Sequence, residues 1–204
     1  LIVYPPVDTA RYCGAAAAVT SPDDYYLVVS RLVPYKRIDL AVQAFTRLGL
    51  PLVVAGSGRD REALQAMAGP TISFLGRVPD ADLPGLMAGC KAFIFPGRED
   101  FGITPLEVQA AGRPVIAFGA GGALETVVDG VTGTFFYEPT LEALAEAVLA
   151  FDTSAVDPAA CRANAERFSI PRFRDEMFAL VEAFTTASTP LPTPGVSSTR
   201  AVRR

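Results

Sequence analysis

The stretch AFIFPGREDFGITPLEVQAAGRPVIAF, residues 92–118, decides the fold. It opens on Ala92-Phe93-Ile94-Phe95 and closes on Pro114-Val115-Ile116-Ala117-Phe118. Both runs are continuously apolar and rich in β-branched or aromatic residues, as strands buried on both faces are. Between them Thr104-Pro105 supplies a helix start, an N-cap hydroxyl followed by Pro at the first position. Gly112 marks the end of that helix. Strand, helix, strand over 27 residues is one βαβ unit.

The same rhythm extends outward in both directions. Upstream, Tyr25–Ser30, Leu52–Ala55 and Thr71–Leu75 read as strands. Ile38, Ala41, Val42, Phe45 and Leu48 recur at helical spacing, Arg59–Ala68 reads as a second helix, and Asp80 is expected to N-cap a third over Ala81–Gly89. Downstream, Gly122–Val128 reads as a short helix and Gly133–Phe136 as a sixth strand. Leu141–Phe151, Pro158–Phe168 and Pro171–Thr185 follow as helices. The expected fold class is α/β: a Rossmann-like, doubly wound parallel sheet of about six strands with helices on both faces. Residues 1–24, with Pro5-Pro6 and an Ala run, read as an irregular lead-in. Residues 25–185 form the domain. Residues 186–204, rich in Pro, Ser and Thr, read as a disordered tail.

Composition removes several functions. The 204 residues carry 18 Lys+Arg against 22 Asp+Glu, a net charge of −4, with no basic excess to neutralise nucleic-acid phosphates. There is no His, so no His general base, His triad or imidazole metal site can form in this chain. Cys13, Cys90 and Cys161 show no C-x-x-C spacing and are expected to be buried thiols in a reducing compartment. No apolar run reaches the length of a membrane span. The first residue is Leu, which fits numbering that starts inside a longer protein.

In a doubly wound fold, ligands sit at the carboxyl ends of the strands. The loop after the first strand holds Arg31 and Lys36, two cations suited to a diphosphate, or else to solvent. Gly56-x-Gly58 after the second strand is half of a dinucleotide fingerprint without its third Gly, and a tight turn explains it as well. Asp80-Ala-Asp82 has the form of a metal-holding D-x-D, but at a helix start capping is the simpler role. After the fourth strand come Glu99, Phe101, Gly102, Ile103 and Thr104, then Glu107 in the first turn of the next helix. A helix N-terminus approached through Gly suits an anion, and a carboxylate on either side suits sugar hydroxyls. Dipole compensation would also explain Glu107 alone.

Ser30-Arg31-x4-Lys36, Phe74-Leu-Gly76-Arg-Val78 and Phe95-Pro96-x2-Glu99-Asp100-Phe101-Gly102-Ile103-x-Pro105-x-Glu107 resemble the family 4 (group 1) retaining glycosyltransferases of the GT-B fold. So do Ala110-x-Gly112-x-Pro114-Val115-Ile116 and Gly121-Gly122-x2-Glu125-x3-Asp129-Gly130-x2-Gly133. The resemblance covers about residues 1–185 and only the C-terminal, donor-binding half of such enzymes. Val3–Thr9 resembles the segment that joins the halves.

The resemblance implies that Arg31 and Lys36 bind the donor diphosphate and stabilise the leaving nucleoside diphosphate. It implies that Glu99 holds donor sugar hydroxyls, that backbone amides of Phe101–Thr104 touch sugar and phosphate, and that Glu107 holds the ribose. Val78 and Asp80 would meet the base. No cofactor or metal is implied beyond the nucleotide sugar itself, with GDP-mannose the expected donor and a lipid or saccharide the acceptor. The partner is an acceptor-binding half outside this chain, through which any peripheral membrane contact would run, and the fragment alone is expected to be weakly active or inactive. Cytoplasmic location is the default for a nucleotide-sugar user. The competing readings are a non-catalytic nucleotide-sugar-binding module and a nicotinamide-binding oxidoreductase domain.

Overall fold

In the computed structural model, which describes residues 2–16, 19 and 22–187, six parallel strands form one sheet. They are β1 (Tyr26–Val29), β2 (Leu52–Ala55), β3 (Ile72–Gly76), β4 (Phe93–Phe95), β5 (Val115–Phe118) and β6 (Gly133–Phe136). Their order across the sheet is β3-β2-β1-β4-β5-β6, the doubly wound pattern in which the winding direction reverses between β1 and β4. All five pairings are parallel, with Leu27 opposite Phe93 at the reversal.

Each central strand is apolar on both sides because each side meets helices. Val28, Val54, Ile94 and Ile116 face a core shared with α2 (Ile38–Leu48), α3 (Arg61–Met67) and α7 (Leu141–Ala150). Their neighbours Leu27, Phe93, Phe95, Val115 and Ala117 face the other core, with α1 (Thr9–Ala16), α4 (Leu83–Gly89), α5 (Ile103–Ala110) and α8 (Pro158–Glu166). The period of two in side-chain direction is intact, but both phases are greasy. A buried polar knot ties α5 to α8. Asn164 Nδ2 donates to Gln109 Oε1 at 2.6 Å, and both amides donate to the Thr126 carbonyl, at the end of α6 (Ala123–Thr126). The last helix, α9, spans Ile170–Ala187. Among the described residues no helix is long and apolar enough to cross a membrane.

Four local expectations change. The stretch read as an irregular lead-in contains α1, whose start is held by the Asp8 carboxylate accepting from the Arg11 N–H at 3.3 Å. Asp80 is no N-cap: α4 begins at Leu83, so Asp80 lies in the turn before it. Thr104 is no N-cap either, because Gly102, with φ of 89°, turns the chain into α5 two residues earlier. That start places Glu107 beyond the first turn of α5, where dipole compensation no longer accounts for it. The proposed tail lies outside the described residues apart from its first two positions, which continue α9.

Candidate functional site

The reversal of winding opens the carboxyl ends of β1 and β4 toward each other, and the loops that follow them meet there. After β1 the chain runs through Arg31 to a single 3-10 turn, Pro34–Lys36. Arg37 then turns the chain into α2 with a left-handed φ of 52°, strain of about 1 kcal/mol or more for a non-glycine residue. Its guanidinium is tied to Asp39 through Nε and an amino nitrogen at 3.2 and 3.3 Å. The turn directs Lys36 at the loop after β4, where its Nζ pairs with Glu99 Oε2, both side chains mostly shielded from solvent. Two residues sixty-three positions apart thus form one ion pair at the switch point.

The loop after β4 is fixed by glycines that permit close backbone approach. A Cβ on Gly97 would stand 2.8 Å from the Lys36 carbonyl oxygen, and one on Gly122 only 2.2 Å from the Phe101 Cα. The Gly122 N–H donates to the Glu99 carbonyl at 2.8 Å. The next loop therefore braces Glu99 from behind while Lys36 holds its carboxylate in front. Gly56 and Gly58 serve the same purpose on the other side, pressed against the backbone of Ser30 and Leu32. They explain the half fingerprint as packing.

An open cleft of about 660 Å³ is lined by Pro5, Tyr35, Arg98, Glu99, Asp100, Phe101, Gly102, Ile103 and Thr104. A separate groove along β6 and α7, at the edge of the sheet, lies away from the switch point. The cleft thus brings together Glu99 with the whole α5 start from Phe101 to Thr104. Lys36 joins it through Glu99, and Tyr35 stands beside Lys36, whose Nζ is 5.1 Å from the ring centre. Arg31 is exposed in the neighbouring loop and makes no ion pair among the described residues.

Of the remaining expected residues, Glu107 and Asp80 belong to a second cluster, joined through α1. Glu107 is half-buried, and its Oε1 accepts from the Tyr12 hydroxyl at 2.9 Å. Burial raises the Glu107 pKa, against the hydrogen bond from Tyr12 and the charge of Arg11, which lower it; Asp80 adds a small push upward. Asp80 is exposed, and its carbonyl accepts from the Arg11 guanidinium. Val78 is half-buried nearby in sequence. No group of three or more His, Cys, Asp or Glu suited to a metal occurs among the described residues.

Sequence reasoning passed over Tyr12, Arg11, Tyr35 and Pro5. The signal for the first two was present: Asp8-Thr9 before an Ala-containing run is a helix start. A third cluster also came from the supposed lead-in. Tyr4 stacks on Phe101 at 5.6 Å and meets Phe168 edge-on at 5.3 Å, beside buried Val7 and Leu106.

Comparison with known proteins agrees with this architecture. The family model described as "Glycosyl transferases group 1" matches residues 16–168. A GDP-mannose-dependent alpha-(1-6)-phosphatidylinositol monomannoside mannosyltransferase of Mycolicibacterium smegmatis is 33% identical over 170 residues, 71% of this chain and 44% of that protein. A GDP-mannose-dependent alpha-mannosyltransferase of the same organism is 39% identical over 116 residues, 55% of this chain and 31% of that protein. The chain therefore spans less than half the length of these curated relatives. Sucrose-phosphate synthase from Thermosynechococcus elongatus shares the fold, with a TM-score of 0.79 at 23% identity over 92% of this chain and 53% of that one.

Proposed function

Because the chain belongs to the group 1 glycosyl transferases, we propose that it forms the donor-binding half of a retaining hexosyltransferase. The donor is a nucleoside-diphosphate sugar, GDP-mannose by the likeness to mannosyltransferases that use it. The acceptor is a lipid or a saccharide, bound mainly by a half outside this chain. The observation that carries the reading is the Lys36–Glu99 pair at the reversal of the sheet, where ligands of doubly wound folds bind.

Lys36 and Arg31 supply positive charge to the diphosphate, Lys36 as a point charge and Arg31 through paired N–H groups. As the sugar–phosphate bond breaks, negative charge grows on the leaving diphosphate, and fixed cations stabilise that charge more than the ground state. In this reading they take the role that a divalent ion has elsewhere. The free N–H groups at the start of α5 add donors to the same anion. Glu99 is relieved of Lys36 as the phosphate takes the lysine, and turns its oxygens to sugar hydroxyls. Glu107 accepts from the ribose. The part described here holds the donor, and turnover needs the cleft closed by the acceptor half.

Calorimetric titration of the chain with GDP, UDP, ADP and NADH tests this. GDP is expected to bind, NADH not, and Arg31→Ala and Lys36→Ala are each expected to weaken GDP binding about tenfold or more, the loss of one charge-assisted hydrogen bond being about 1.5–3 kcal/mol. Unchanged binding in both variants would overturn the assignment of the diphosphate site.

A further inference from the structure

Helix α1 reaches the second cluster with two consecutive residues. Tyr12 donates to Glu107 Oε1 at 2.9 Å. Arg11 donates to the Asp80 carbonyl and lies 5.7 Å from the Tyr12 ring centre. One turn of helix therefore ties down both the carboxylate that the proposed function assigns to the ribose and the loop that holds Asp80.

The Tyr12 ring is 3% exposed and sits in the core with Leu27, Met87, Phe93 and Val108. That ring needs no hydroxyl to fill its space, since Phe has the same shape. The hydroxyl is extra to the packing, and its partner is Glu107. A phenol on an immobilised ring is a donor with one free torsion, so it fixes the carboxylate it binds at small entropic cost.

We propose that Tyr12 is a positioning residue for nucleoside recognition, its hydroxyl holding the Glu107 carboxylate in the orientation that accepts from a ribose diol. The inference rests on the donor-site reading above. Tyr12 engages one lone pair of Oε1, leaving Oε2 and the second lone pair of Oε1 for the two ribose hydroxyls. The groups that face Glu107 are Tyr12 and Arg11 from α1, which favour its ionised form, and Asp80 from the loop after β3, which opposes it. Only the ionised form accepts on both oxygens, so the bond that orients Glu107 also favours the double acceptor, against the burial that raises its pKa.

The test is Tyr12→Phe in the full chain, titrated calorimetrically with GDP and with 2′,3′-dideoxy-GDP between pH 5 and pH 8, beside Glu107→Gln. Tyr12→Phe is expected to weaken GDP about fivefold, the effect of one hydrogen bond of about 1 kcal/mol, and to leave dideoxy-GDP unchanged. Its loss of GDP affinity on acidification is expected to begin at higher pH, because the bond favouring the carboxylate is gone. A GDP to dideoxy-GDP ratio and an acid limb equal to those of the unmutated chain overturn the proposal. Equal weakening of both ligands also overturns it, since that marks a packing effect. If Glu107→Gln itself keeps full GDP affinity and discrimination, the ribose assignment falls. If Glu107→Gln loses them and Tyr12→Phe does not, only the positioning role falls. A chain that binds none of GDP, UDP and ADP overturns the donor-site reading and this inference together.

Discussion

Glu107 is the residue whose local physics conflicts most with its expected work. It is pulled out of water far enough that burial raises its pKa, and the phenol of Tyr12 only partly offsets this. The sign of the stability effect follows. A carboxyl whose pKa is raised on folding contributes stability that is fully present below its ordinary value of 4.5 and is lost as pH rises through the raised value. Glu107→Gln keeps an oxygen for Tyr12 and carries no charge. Its melting temperature relative to the unmutated chain is therefore expected to rise between pH 4.5 and pH 7, while GDP binding falls. Melting curves at the two pH values, showing no such divergence, would contradict the account. The cysteines separate by the same physics. Cys90 and Cys161 are buried and their thiols are pushed up to about 12, whereas Cys13 is exposed. The expectation of three buried thiols is thus wrong for Cys13. A thiol reagent at pH 8 is expected to label one site quickly and two only on unfolding. Labelling of all three at one rate would count against it.

At the scale of elements, the strands were legible because β1, β2, β4 and β5 are uninterrupted apolar runs, while β3 and β6, broken by Ser73 and Thr134, were still read from their aromatic and aliphatic residues, β6 at its final bounds, Gly133–Phe136. Helices α2 and α7 were legible from their periodicity. Helix starts were less so. At α5 the sequence offered both a hydroxyl with a following Pro and a Gly, and the left-handed turn at Gly102 won because the loop is already committed to its path by Gly122 and Glu99. Helix α1 was missed because Pro5-Pro6 read as an irregular lead-in and Gly14 interrupts its eight residues, although its last residues, Ala15 and Ala16, are good helix formers. The Lys36–Glu99 meeting was foreseen only as two loops at one sheet edge. Their pairing depends on the strand order, which no local pattern encodes. Gly122→Ala tests the brace at element scale. Its Cβ would meet backbone, which cannot give way as a side chain can. A loss of about 2 kcal/mol or more in urea unfolding is expected, with weaker GDP binding because the Glu99 loop shifts. Wild-type stability would show that the brace is not needed.

At the scale of the molecule, the two faces of the sheet are unequal. One is covered by α2, α3 and α7, the other by α1, α4, α5 and α8, and the Tyr12–Glu107 pair joins two helices of the second face. The segment before β1 belongs to this body: the Val7 N–H donates to the Phe168 carbonyl at 2.8 Å, and Thr9 Oγ1 donates to Glu166 at 2.9 Å.

That junction sets how tension travels through the protein. Traction between Ile2 and α9 falls on the groove where Ile2 and Val3 lie beside α9, then on the Tyr4 ring between Phe101 and Phe168 and on the Val7–Phe168 hydrogen bond, ahead of the strands. With optical tweezers attached near those two points, a small early rupture that releases the N-terminal segment is expected, ahead of the main unfolding event; a single all-or-none rupture would contradict this load path. Because Tyr4 leans on Phe101, the same tug reaches the loop that holds Glu99 before it strains the sheet. Any neighbour that pulls on this segment thus has a lever on the cleft that Glu99 lines.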